Sequence, residues 1–247
     1  MKMLISILPA CGAIVVLLVL WQMAISFFGV PDYILPGPTA IADSMGHSWR
    51  MLGSSLVVTV EEALLGFFVG AVIAIFLAIL MVLAPAIEVA SLPIVVALNS
   101  VPPVAFVPLA LIWFGLGIWS KIGIAALSVN LVVLLNTLGG LKTPDSAAVD
   151  LLRSYGAGRF GVLWRLRLPA AMPALVTGLR IGLPRSTIAV IVAEMLGAYT
   201  GIGQIIYQST AQVDYLTVWA AIFVAVVASL VLYGILVAID RKLVWWS

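Results

Sequence analysis

Charge is what this chain has least of. Only 12 Lys and Arg and 10 Asp and Glu occur in 247 residues, 9% of the sequence, against about 25% in soluble domains. Hydrophobic residues supply 64%, so too little polar surface exists for the chain to sit in water, and a polytopic membrane protein follows. One cysteine, Cys11, excludes an intrachain disulfide and a thiolate-rich metal centre. One histidine, His47, has no Cys or His companions nearby, so no metal site is expected. No Gly-x-x-x-x-Gly-Lys-[Ser/Thr] sequence occurs, so the chain carries no ATPase phosphate loop of that kind. Leu8-Pro9-Ala10-Cys11 faintly resembles a lipoprotein cleavage site. The apolar run before it, about six residues, is shorter than a signal core and continues past the cysteine, which reads better as part of a spanning helix.

What is present is a series of long apolar runs. A bilayer core of ~30 Å needs about 20 helical residues, and six segments qualify: residues 4–28, 54–83, 93–114, 122–141, 174–195 and 219–239. The expected fold class is all-α, a single transmembrane domain of six helices over residues 1–247. Thr39 to Arg50 reads as a short helix capped behind Pro38. The third span carries Pro102, Pro103 and Pro108, so it should be broken or kinked.

The charges that do occur are unevenly placed. With the N-terminus inside, Lys2, Lys142, Arg153, Arg159, Arg165, Arg167, Arg241 and Lys242 are cytoplasmic and only Arg50 and Lys121 face out, which puts both termini in the cytoplasm. Four of the arginines crowd into 153–167. Each would cost about 2.5–3.5 kcal/mol or more at the bilayer centre, so residues 142–170 form a loop outside it. Within the loop, Asp145 or Ser146 can cap a helix behind Pro144. Leu151, Leu152 and Tyr155 make an apolar edge, and Gly156 and Gly158 break the helix. A second short helix, Arg159 to Leu168, should carry Phe160, Leu163 and Trp164 on one side and arginines on the other, with Pro169 ending it. Positive-inside topology alone would explain the arginines, but not the placing of Gly156 and Leu168-Pro169.

That placing resembles the signature of the permeases of bacterial binding-protein-dependent ATP-binding-cassette importers: Glu-Ala-Ala, three residues, Gly, nine residues, Ile, one residue, Leu-Pro. The frame here runs Asp150-Leu151-Leu152, Gly156, Leu166, Leu168-Pro169, with Asp for Glu, two leucines for the alanines and Leu for Ile. Pro102-Pro103-Val-Ala-Phe-Val-Pro108, Leu134-Leu-Asn136-Thr137, Gly178-Leu-Arg180 and Ala193-Glu194-Met-Leu-Gly197 are similar to the nitrate/sulfonate/taurine branch.

The resemblance implies a type I importer permease, multi-pass in the bacterial cytoplasmic membrane, with no chemistry of its own and no nucleic-acid partner. Asp150, Leu151, Leu152, Tyr155, Gly156, Ala157, Arg159, Leu166, Leu168 and Pro169 would form the coupling loop, seated in a separate ATPase that holds the ATP and Mg. Two ATPase copies, a periplasmic or lipid-anchored solute-binding protein, a second permease copy and membrane lipid are the implied partners. The favoured solute is a sulfonate-, taurine- or nitrate-like anion; a neutral heteroaromatic vitamin precursor is the alternative.

Candidate pathway residues are Asn99, Pro102, Pro103, Arg185, Ser186 and Glu194. The prolines and Asn99 can make a discontinuous helix of the kind found at transport sites. Arg185 with Ser186 and Thr187 suits an anion, or else Arg185 lies near the cytoplasmic interface and snorkels to it. Glu194 is an intramembrane carboxylate, functional by default, or else a cap on the Gly197 loop. It lies about 21 Å along a helix from Arg180 and about 13.5 Å from Arg185, so any partner is on another element. Glu61-Glu62 reads as solvated charge near the outer boundary. An ion-coupled secondary transporter would need midplane carboxylates and repeats; Glu194 is the one candidate, and no repeat is evident.

Overall fold

The computed structural model describes the backbone of residues 2–243 and the side chains of residues 12–240; Lys2, Cys11, Arg241 and Lys242 lie outside the described side chains. Among the described residues the chain is helical throughout: α1 (Lys2–Phe28), α2 (Pro38–His47), α3 (Trp49–Leu83), α4 (Pro85–Ser100), α5 (Val107–Phe114), α6 (Ile118–Lys142), α7 (Ser146–Ser154), α8 (Arg159–Val162), α9 (Leu168–Leu196), α10 (Ile202–Ala211) and α11 (Tyr215–Leu243).

Proline sets most of the boundaries. Pro38 opens α2 and Pro85 opens α4, where the missing N–H costs nothing. Ala84, pushed extended by the proline after it (φ −134°, ψ 92°), ends α3. Val101 and Pro102 are extended for the same reason. A 3₁₀ turn at Pro103–Phe106 then leads into α5, and the chain bends by 86° between α4 and the 103–114 segment. The expected break in the third span is therefore a sharp corner. Four helices are long and apolar enough to cross a membrane: Trp49–Leu83, Ile118–Lys142, Arg159–Leu196 and Tyr215–Asp240. The bent pair makes five if counted as one span, and Gly12–Phe28 is a shorter apolar helix. Against six expected crossings, the described residues thus establish four or five.

The core is a sandwich of α3, α6 and α9. Phe67, Ala71, Ala74, Ala78 and Met81 meet Val129, Val133, Leu134, Leu138 and Leu141, with Leu163, Ala171 and Leu183 behind. Small residues let the backbones approach, as membrane packing requires in the absence of a hydrophobic drive between helices. A Cβ on Gly70 would lie 2.9 Å from the Ala126 Cα, and one on Gly178 would lie 2.9 Å from the Asn136 Cβ. Gly178→Leu should cost about 1–3 kcal/mol by overpacking, lowering the melting temperature in detergent by roughly 5 °C. Gly139→Leu, whose Cβ meets nothing within 4 Å, should melt like the parent protein. Equal melting of both variants would contradict the α6–α9 packing.

Candidate functional site

The polar and chemically distinctive residues fall into three places. The first is the segment after α6. Asp145 caps α7, its Oδ1 accepting from the Ala147 N–H at 3.3 Å. The helix buries only Val149 and ends in a Schellman turn. The Gly156 N–H donates to the Arg153 carbonyl at 2.9 Å and the Ala157 N–H to Leu152 at 3.0 Å, with Gly156 at φ +83°, a conformation suited to glycine. Asp150 and Arg153 pair at 3.6 Å on the exposed face.

Beyond Gly158 the structure departs from the expected second short helix. Arg159–Val162 passes through a π turn at Leu163–Arg167 directly into α9, and Pro169 does not end the helix. It sits in the first turn of α9; the wider turn before it absorbs the loss of its N–H donor. Nor do the three apolar residues share a side. Leu163 is buried in the core, while Phe160 and Trp164 are exposed. With Leu151 and Tyr155 of the α7 end, the latter 82% exposed, they make an apolar surface edged by arginines just before α9. Leu152, Ala157, Leu166 and Leu168 are half-buried beneath it.

The second place is an open cavity of about 320 Å³ lined by Asn99, Pro103, Val104, Ser128, Arg185 and Ile188. It brings together residues from α4, the proline corner, α6 and α9. Asn99 donates to the Val95 carbonyl at 3.1 Å and Ser128 to Ile124 at 3.0 Å. Among the described residues no carboxylate pairs with Arg185. Pro102 stands exposed at the corner, outside this lining. Ser186 points the other way: it is fully buried and its Oγ donates to the Ala63 carbonyl of α3 at 2.6 Å.

Glu194 belongs to the third place, a buried cluster between α3, α6, α9 and α10. It is 1% exposed. It accepts from Thr59 Oγ1 at 2.7 Å and from the Gly203 N–H at 2.7 Å, while the Ile202 N–H donates to Thr59 Oγ1 at 2.8 Å. Carboxylate and hydroxyl thus satisfy the first N–H groups of α10, where the helix dipole favours negative charge. Gly201 (φ +119°) and Gly203 make room, since a Cβ on either would run into Glu194.

Two sequence expectations fail here. Glu62 is not solvated: α3 starts well before it, and it is 4% exposed, facing Glu194 while Glu61 faces out. Lys121, expected to face out, is buried instead. It lies in the first turn of α6, 1% exposed, donating to the Leu116 carbonyl and, at 3.1 Å, to Gly117. The rule that flagged Glu194, that intramembrane carboxylates are never casual, would have found Glu62 too. Arg180 pairs with the buried Asp240 of α11, a link no spacing in the sequence announces.

The class defined by these features is an all-helical membrane permease with a helical projection at one end. The model of the binding-protein-dependent transport system inner membrane component family matches residues 70–245, and the chain belongs to that family. It is 31% identical to the taurine transport system permease protein TauC of Escherichia coli over 95% of this chain and 88% of that one. It is 30% identical to the formylaminopyrimidine transport permease protein ThiX of Halalkalibacterium halodurans over 93% and 92%. In fold it is similar to an inward-facing MetNI methionine ABC transporter chain (TM-score 0.68, 20% identity, 79% of this chain and 97% of that one). The chain is thus the transport subunit of an ABC importer, and ATP hydrolysis is carried out by a separate component.

Proposed function

We propose that two copies of this chain enclose a translocation path for a small anion, and that each copy seats one ATPase against α7 and the turn at Gly156. The loop then faces the cytoplasm, as do both termini, and a separate binding protein delivers solute to the opposite face. The observation that carries the reading is the projecting surface: Leu151, Tyr155, Phe160 and Trp164 stand in the open beside arginines. Such a patch is characteristic of a partner interface. Phe160 and Trp164 sit on one continuous helix from Arg159 to Leu196, so a push on that part of the surface is carried along the helix that also bears Arg185. Purification of the assembled importer tests the pairing: a single permease species, equal in number to the ATPase, is expected, and a second permease species would refute the homodimer.

The anion reading rests on Arg185, which has no carboxylate partner among the described residues and shares its cavity with the Asn99 amide, one of whose N–H groups remains free of the Val95 carbonyl. A hydrogen bond to a charged group is worth about 1.5–3 kcal/mol, roughly 10- to 150-fold. Arg185→Ala in proteoliposomes holding the full importer should therefore cut ATP-driven sulfonate uptake by about ten-fold or more. Sulfonate uptake unchanged by the substitution would overturn it. Similarity to ThiX over most of the chain supports a second reading, a neutral heteroaromatic solute, whose transport Arg185→Ala would spare.

A further inference from the structure

At the foot of α3, next to the surface proposed to seat the ATPase, lies a cavity of about 200 Å³ to which no ligand has been assigned. Arg153 of α7, Arg159 of α8 and Arg167 from the π turn all line it, against Leu83 and Pro85 on the other side. Arg159 donates to the Leu83 carbonyl at 3.5 Å, closing the last turn of α3. Among the described residues the one carboxylate paired with any of the three is Asp150, 3.6 Å from Arg153, and both partners are well exposed, so that pair neutralises little. Three arginines lining one small cavity concentrate positive charge there, which a bound anion would offset. Their planar forks match phosphate oxygens in particular.

The position identifies the anion. Leu83 ends a helix long and apolar enough to span the bilayer, and the chain turns there at Ala84 into α4. The cavity is therefore at the membrane–water boundary, where phosphate groups of the leaflet lie. Its remaining wall, Val82, Val162 and Leu163, is apolar and suits the first carbons of an acyl chain rather than a free, fully hydrated anion. Basic pockets at the ends of spanning helices are a recognised mode of anionic-lipid binding. We propose that this cavity is a binding site for the phosphate of an anionic phospholipid, tying α3 to the segment that projects from the membrane. The assignment does not depend on which solute is carried, nor on which side of the membrane the loop faces.

The test is native mass spectrometry of the detergent-purified permease–ATPase complex titrated with phosphatidylglycerol, phosphatidylcholine or inorganic phosphate. Phosphatidylglycerol should be retained and phosphatidylcholine not. Arg153→Gln combined with Arg167→Gln should weaken retention by roughly thirty-fold, while Arg165→Gln, outside the cavity lining, should leave it unchanged. Arg167→Gln alone, expected to lose about half of the effect on a logarithmic scale, serves if the double variant does not assemble. Equal retention by parent and variants would overturn the proposal. So would displacement of the lipid by millimolar inorganic phosphate, which would make this a free-phosphate site, or cross-linking of Arg167 to an acidic residue of the ATPase, which would make it part of the protein interface.

Discussion

Gly156→Asp is expected to insert normally and import nothing. Gly156 closes the Schellman turn at φ +83°, and a Cβ there would meet no atom within 4 Å, so the fold has room for the side chain. The cost to the permease is confined to a left-handed backbone, about 1–2 kcal/mol and less for aspartate, which tolerates that region. The cost to the proposed interface is larger. A carboxylate placed beside Tyr155, between Leu151 and Phe160, must be desolvated whenever the ATPase seats, at about 1–3 kcal/mol or more without a partner. Two copies per importer would double it. Gly156→Ala separates the two effects, since it carries the strain without the charge, and should retain most uptake. ATP-driven uptake in proteoliposomes, with ATPase recovery on the purified permease as the second readout, decides the matter. Full uptake by Gly156→Asp would show that this turn touches no partner during transport.

Glu194→Ala should be the most destabilising single change in the interior. It removes the acceptor of Thr59 Oγ1 and of the Gly203 N–H; the hydroxyl can fall back on the Ser55 carbonyl at 3.1 Å, while the Gly203 N–H is left buried without a partner. At about 1.5–3 kcal/mol for each hydrogen bond to a charged group, the melting temperature should fall by roughly 10 °C or more. Glu194→Gln keeps the shape and one acceptor oxygen and should lose less. Thr59→Val should resemble Glu194→Ala, because Thr59 both donates to Glu194 and accepts from Ile202. Proteolysis within Ile202–Ala211 provides an independent readout: α10 held by this cap resists cleavage, and α10 released from it does not. Unaltered melting of Glu194→Ala would mean that the carboxylate is not what anchors α10.

Much of this was legible in the residue order for physical reasons that act locally. Prolines at 85, 102 and 103 restrict the residue before them whatever surrounds it, so the corner between α4 and α5 could be anticipated, though not its 86° bend. Gly156 was marked by its place after an amphipathic stretch. Pro169 misled, because whether a proline ends a helix or opens one depends on what precedes it, and here a π turn does. Glu61 and Glu62 are indistinguishable in sequence. A rotation of about 100° per residue separates them, and only the packing of α3 against α6 and α9 decides that Glu62 turns inward.

Composition and order alone therefore determined that the chain is an all-helical membrane protein with several helices apolar enough to span. Hydrocarbon admits no unpaired backbone and very few charges, so these are one-dimensional constraints. The tertiary structure alone decided that Glu194 holds the end of α10, that Arg180 meets Asp240 across sixty residues, and that Arg185 shares a cavity with Asn99. Each of these joins side chains on different helices, and their meeting depends on the phase and depth at which those helices pack.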